Sequence, residues 1–275
     1  MQTVLEAKQA NIQWLLETDE PWTRYRTYVD LLDKPEDDAV VAQARAEMLA
    51  HPQVQELITT AVSWPGYPLK RHNDAKHPLY AFSTLADFGL HCDDPGLRPA
   101  IDKVMAHQSA AGPFQTQIRL YKRFGGLDGE YWTWMACDAP TLIYSLLAMG
   151  IGDNPQVQLA AEHLLDQVED NGWRCTAAPE LGSFHGPGRR DAPCPIANVY
   201  ALKLLSLRPE WRSSEAAQRG AEVLLKSWAR EYEKKLYLFG TGTDFRKLKY
   251  PFVWYDILHV VDVLSRFTFV HDDPR

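Results

Sequence analysis

The residues best suited to chemistry fall in two stretches. Gly182-Ser-Phe-His-Gly-Pro-Gly-Arg-Arg-Asp-Ala-Pro-Cys194 brings together two adjacent guanidiniums, a carboxylate and a thiol. Pro251-Phe-Val-Trp-Tyr-Asp-Ile-Leu-His-Val-Val-Asp-Val-Leu264 carries Asp256, His259 and Asp262 at three-residue steps. Neighbours three apart share a helix face, so Asp256 and His259 form a candidate acid/base or ligand-holding pair. Their bland alternative is a buried pair that satisfies itself, because a carboxylate and an imidazole on an apolar helix are otherwise costly. Arg189 and Arg190 are candidates to grip phosphate oxygens, with flanking glycines letting the backbone approach. The alternative for two adjacent arginines is a solvated loop.

These stretches sit within a repeat. Pro78, Pro140, Pro195 and Pro251 recur at nearly even spacing, and each opens a segment that is apolar around most of a helix. Such helices are buried, and proline suits a first turn whose N–H has no intrahelical partner. After the first three come more amphipathic stretches, Leu97 to His107, Pro155 to Glu169 and Ser213 to Trp228, each followed by a turn and an aromatic element: Gly112-Pro-Phe114, Gly172-Trp173 and Leu238-Phe239-Gly240. Residues 1–63 add helical stretches without repeat markers, including Trp22 to Leu32 and Asp37 to Leu49. With no sustained strand pattern, the chain reads as all-α. One domain of about ten or eleven helices over residues 1–275, its repeat region 64–275, would close into an α/α barrel or form a curved solenoid.

The inner-helix prolines define where the chemistry would gather. His77, Cys137, Asp138, Asp191, Cys194, Tyr250, Trp254 and Tyr255 flank them, and thiolate, carboxylate and imidazole are the ligands of a tetrahedral zinc site. The other reading of Asp191 is a helix N-cap, and of Cys194 inert packing. Cys137 is an alternative thiolate, since Cys137-Asp138-Ala-Pro140 echoes Asp191-Ala-Pro-Cys194-Pro195. Cys92 and Cys175 receive no role. Tyr144, Tyr200, Trp254 and Tyr255 are candidates to line an apolar cavity, or else to fill a core.

The period, the glycine-aromatic elements and the proline-opened inner helices resemble the α/α toroid superfamily of protein prenyltransferase β subunits and squalene-hopene-type cyclases, from about Trp64 onward. The resemblance implies a prenyltransferase- or terpene cyclase-like transferase or isomerase acting on an isoprenoid or other apolar small molecule. It implies zinc on Asp191, Cys194 and His259, a diphosphate facing Arg189 and Arg190, and Asp256 orienting His259. The Asp-x-Asp-Asp cluster of the cyclases is missing: His91-Cys-Asp-Asp-Pro95 follows an inner helix, where Asp93 or Asp94 reads as an N-cap. Two further readings stay open: a non-enzymatic toroid that binds a protein or lipid on its concave surface, and a metal-independent acid/base enzyme using Asp256 and His259.

The composition bounds these readings. Hydrophobic residues make up 45% of the chain and charged residues 24%, ordinary for a folded globular protein. A net charge of -7 argues against a general nucleic-acid or anionic-membrane binder. No secretory signal or membrane-spanning run is read, so the expected location is cytoplasmic, with the four cysteines as thiols. An incomplete ring would leave an apolar edge for a second copy to cover, so a homodimer is an open expectation.

Overall fold

The computed structural model describes residues 2–70, 74–125, 127–184, 191–229, 247–248 and 256–275. It is mostly helical. Proline fixes many helix starts, as in α2 (Pro21–Arg26), α4 (Pro52–Val62), α5 (Pro78–Phe88), α8 (Pro155–Asp166), α9 (Pro195–Leu205) and α10 (Pro209–Arg212). In α6 (Arg98–Met105) and α7 (Ala139–Leu146) the proline stands one residue later. Side chains finish several caps: Asp38 accepts from Val40 N–H before α3 (Ala39–Ala50), and Asn154 from Gln156 N–H before α8. The N-terminal region contributes α1 (Gln2–Leu16), α2 with a wider π-type turn over Thr27–Leu31, α3 and α4.

Burial separates two kinds of helix. Every residue of α9 is buried, as is every residue of α7, and α5 is buried over most of its length. These pack side by side in chain order, α5 on α7 and α7 on α9, with α12 (Ile257–Ser265) also against α9. Amphipathic helices cover them: α4 lies on α5, α8 on α7, and α11 (Glu215–Ala229) on α9. The segments opened by Pro78, Pro140 and Pro195 are thus the buried row; the amphipathic stretch that follows covers α7 and α9, whereas α5 is covered by the preceding α4, against which α6 packs, and Pro251 lies outside the described residues.

Two sequence expectations need correction. A two-stranded antiparallel sheet interrupts the helices, β1 (Thr116–Leu120) pairing with β2 (Gly129–Thr133) in register from Thr116↔Thr133 to Leu120↔Gly129. Thr116, Ile118 and Leu120 are buried while Gln117 and Arg119 are partly exposed, a period of two that is short enough to hide among helical patterns. The last helix, α12, starts at Ile257, because Asp256 has extended backbone (φ -148°, ψ -176°), and it buries only one face, Val260, Val263 and Leu264, while Leu258 and Val261 are exposed. His259 therefore lies in the first turn of a helix that begins after Asp256 and not along a helix running from Pro251.

The glycine-aromatic element has a clear physical purpose at Gly172-Trp173. Trp173 is fully buried, and its indole N–H donates to the Leu164 carbonyl at 2.8 Å, closing the element onto α8. Asn198, fully buried on α9, accepts the Trp173 N–H at 3.1 Å and donates to the carbonyls of Trp173 and Cys194, both at 2.8 Å. Gly172 has φ +86°, and a Cβ there would stand 2.5 Å from both Asn198 Oδ1 and Val223 Cγ2. Only glycine lets this turn reach α9 and α11 at once.

Candidate functional site

The start of the buried row concentrates titratable groups. His77, fully buried, caps α5: its Nδ1 accepts from Leu79 N–H at 3.2 Å, so Nε2 carries the proton donated to the Tyr67 carbonyl at 2.8 Å. Burial lowers its pKa against the raising effects of that hydrogen bond, Asp138 and Asp74, so the ring is held as a neutral structural cap. Asp138, also buried, precedes α7, and the Cys137 thiol donates to its Oδ2 at 3.8 Å.

Two phenols stand among these groups. Tyr80 on α5 and Tyr200 on α9 are both buried. Burial pushes the Tyr80 pKa well up, and Tyr200, Asp138, Cys137 and Asp74 add to the effect. Burial likewise raises Tyr200, followed by the fields of Asp87, Asp138, Cys137 and Asp256. Tyr200 therefore stays a neutral hydroxyl on an aromatic ring, within electrostatic range of carboxylates from α5 and from the caps of α7 and α12. Negative potential around π faces favours a positive charge.

The far end of the row is tied by a polar belt. Asp87, near the C-terminus of α5, accepts the Tyr144 hydroxyl at 2.6 Å on one oxygen and the Lys203 ammonium at 2.6 Å on the other. Lys203 also lies over the Tyr144 ring, 4.5 Å from its centroid. Arg266, at the end of α12, bonds Asp262 through two nitrogens and Ser206 Oγ at 3.1 Å. Burial raises the Asp87 pKa, but the Lys203 charge and hydrogen bond, with the Tyr144 hydroxyl, outweigh it and hold the carboxyl below its ordinary value.

Asp256 is 1% exposed and accepts the His259 N–H at 2.9 Å as the N-cap of α12. His259 Nδ1 lies 3.9 Å from the same carboxylate. The two residues expected to pair do so, across a helix start instead of along a face. Asp191 is exposed and its carbonyl accepts from Asn171 Nδ2 at 2.8 Å. It does not cap α9, whose N-cap is Cys194. Among the described residues no group of three or more His, Cys, Asp or Glu side chains is arranged to hold a metal ion. Arg189, Arg190, Trp254 and Tyr255 lie outside the described residues, as does Tyr250.

Sequence reasoning passed over Asp87, Lys203, Asn198 and Cys175. A lysine inside the otherwise apolar Ile196–Leu205 run was a readable sign, since such a charge needs a partner. Neither Asp93 nor Asp94 caps α6, whose N-cap is Leu97; Asp94 accepts the His91 N–H at 2.7 Å and, on both carboxylate oxygens, one Arg45 guanidinium nitrogen at 2.8 Å. No helix among the described residues is long and apolar enough to cross a membrane. No protein-family model, curated protein or solved structure matches the chain.

Proposed function

We propose that the buried row forms the inner wall of an α/α toroid, complete or incomplete, and that the protein is a prenyltransferase- or terpenoid cyclase-like enzyme acting on an isoprenoid or similar apolar small molecule. The observation that carries this reading is the setting of Tyr200, a neutral phenol beside Tyr80 in the combined field of Asp87, Asp138 and Asp256. Aromatic faces bathed in negative potential stabilise a developing carbocation, the species that isoprenoid transfer and cyclisation share. The apolar surroundings supplied by α5, α7 and α9 exclude water from such an intermediate.

Zinc on Asp191, Cys194 and His259 enters this reading through the family resemblance alone, and a diphosphate site on Arg189 and Arg190 likewise. The exposed position of Asp191 and the engagement of His259 with Asp256 do not favour those three as a preformed cage. Calorimetric titration with farnesyl diphosphate, followed by an assay for released diphosphate, tests the proposal. Saturable binding with a Kd of about 10 μM or tighter, weakened at least tenfold in Tyr200→Ala, is expected. Absence of binding by folded protein to both farnesyl diphosphate and farnesol would overturn it.

A second reading rests on the burial of Tyr80, Tyr144 and Tyr200. If those rings are core packing, the molecule is a non-enzymatic binder of protein or lipid through its surface. Metal-independent acid/base work by Asp256 and His259 draws on their 3.9 Å approach. Farnesyl diphosphate binding without turnover separates the first of these from catalysis, and full turnover by Asp256→Asn excludes the second.

A further inference from the structure

Three of the four cysteines, distant in sequence, meet at one corner of the buried row. Residues 173–178 run between two other segments. On one side Cys194 N–H donates to the Trp173 carbonyl at 2.8 Å, and Arg174 pairs with Pro193. On the other side Ala136 N–H donates to the Thr176 carbonyl at 2.8 Å, and Met135 pairs with Ala177. Between them the Thr176 N–H bonds back to the Arg174 carbonyl at 2.8 Å, so the chain turns at Cys175. This turn puts Cys175 between the two ladders, next to Arg174, which pairs with Pro193, and next to Thr176, which bonds Ala136.

The side chains follow the backbone. Continuing the Met135–Ala177 pairing by two residues sets Cys137 opposite Cys175, and the coupling of Cys175 to Cys137, with burial, holds its thiol well above its ordinary pKa, so its thiolate forms in alkaline solution. Cys137 and Cys194 are buried, whereas Cys175 is partly exposed. None of the three is in a disulfide, and Cys92 lies elsewhere, after α5. Opposite positions of an antiparallel pair stand about 4.5–5.5 Å apart at Cα, within the range a disulfide spans, and that register favours Cys137 as the partner of Cys175, since Cys194 stands opposite Trp173.

We infer that Cys175 is the accessible thiol of a redox-active cluster and forms a reversible disulfide with Cys137 in the presence of a small-molecule disulfide. The Cys175 thiolate attacks one sulfur of the oxidant, forming a mixed disulfide and releasing the first small thiol. The Cys137 sulfur, its proton passing to the Asp138 carboxylate at 3.8 Å, then attacks Cys175 and expels the second. The protein dithiol loses two electrons and two protons, and the oxidant becomes two thiols. Cys194, across the other ladder, stays reduced. The inference stands apart from the isoprenoid reading.

The test is a titration of the purified, reduced full chain with glutathione disulfide, quenched with an alkylating reagent under denaturing conditions and mapped by mass spectrometry. Loss of two of the four alkylatable thiols is expected, with a peptide linking Cys137 to Cys175 that reverts on adding dithiothreitol. Cys175→Ser should form no intramolecular disulfide, and circular dichroism of that variant establishes that it is folded. Retention of all four thiols in wild type overturns the inference, as does a linkage through Cys92 or between Cys137 and Cys194. A metal ion that copurifies on the three thiols and blocks their oxidation also overturns it.

Discussion

Lys203 and Asp87 are 116 residues apart in sequence, and their charged ends meet at 2.6 Å, joining the ends of α9 and α5. The Lys203 side chain is only 7% exposed, and its stem passes through an apolar layer to reach the carboxylate. Among the described residues, removing the cation leaves Asp87 one hydrogen-bond donor, the Tyr144 hydroxyl, and the more distant Arg266 charge. Lys203→Met should lower the free energy of unfolding by about 2 kcal/mol, read by urea titration at neutral pH. A surface lysine such as Lys226, 44% exposed beside Glu222, should change it by about 0.5 kcal/mol or less when replaced by methionine.

The same pair sets a pH dependence. Because the folded-state pKa of Asp87 is depressed, its contribution to stability is present above the unfolded value, about 3.9. That contribution is lost as pH falls through the folded pKa. Lys203→Met removes the largest cause of the depression. The stability gap between wild type and this variant should hold constant from about pH 5 to 7 and narrow below about pH 4. A gap that widens in acid would contradict the pair.

Asp256 offers a clean separation of structure from catalysis. As an N-cap it should tolerate Asn, which also accepts a backbone hydrogen bond, while Asp256→Ala should cost about 1 kcal/mol. If the carboxylate also works chemically, Asp256→Asn retains the thermal midpoint and loses turnover. Melting and activity measured on both variants distinguish the roles.

Much of the architecture was legible because it is written locally. Pro78 and Pro195 each occupy a first helical turn, and the apolar runs after them do form the buried row. The sheet was not legible, since Thr116–Leu120 alternates over too few residues to overrule the helical pattern around it. The relation of Asp256 to His259 was half legible: the spacing is right, but the residues meet at a cap because Asp256 takes extended backbone. Cys175 carried no signal at all. Its meeting with Cys137 and Cys194 depends on a turn and two ladders that only tertiary packing creates.

Gly172 should be among the least replaceable residues outside the buried helices. Alanine there adds a Cβ 2.5 Å from two side chains and also strains a left-handed backbone. Gly172→Ala should cost about 3 kcal/mol. At Gly150, where φ is +89° and a Cβ meets nothing within 4 Å, the same change should cost about 1 kcal/mol, the backbone penalty alone. Equal thermal shifts in the two variants would refute the packing role of the Gly172-Trp173 turn.

The most direct test of the central claim is photocrosslinking with a benzophenone-bearing analogue of farnesyl diphosphate, followed by peptide mapping. The account predicts labels that cluster on the starts of the buried helices, around Tyr80, Asp138 and Tyr200, and that unlabelled farnesyl diphosphate competes away. Labels confined to the covering helices α4, α8 and α11, or labelling that no competitor reduces, would contradict an isoprenoid site within the buried row.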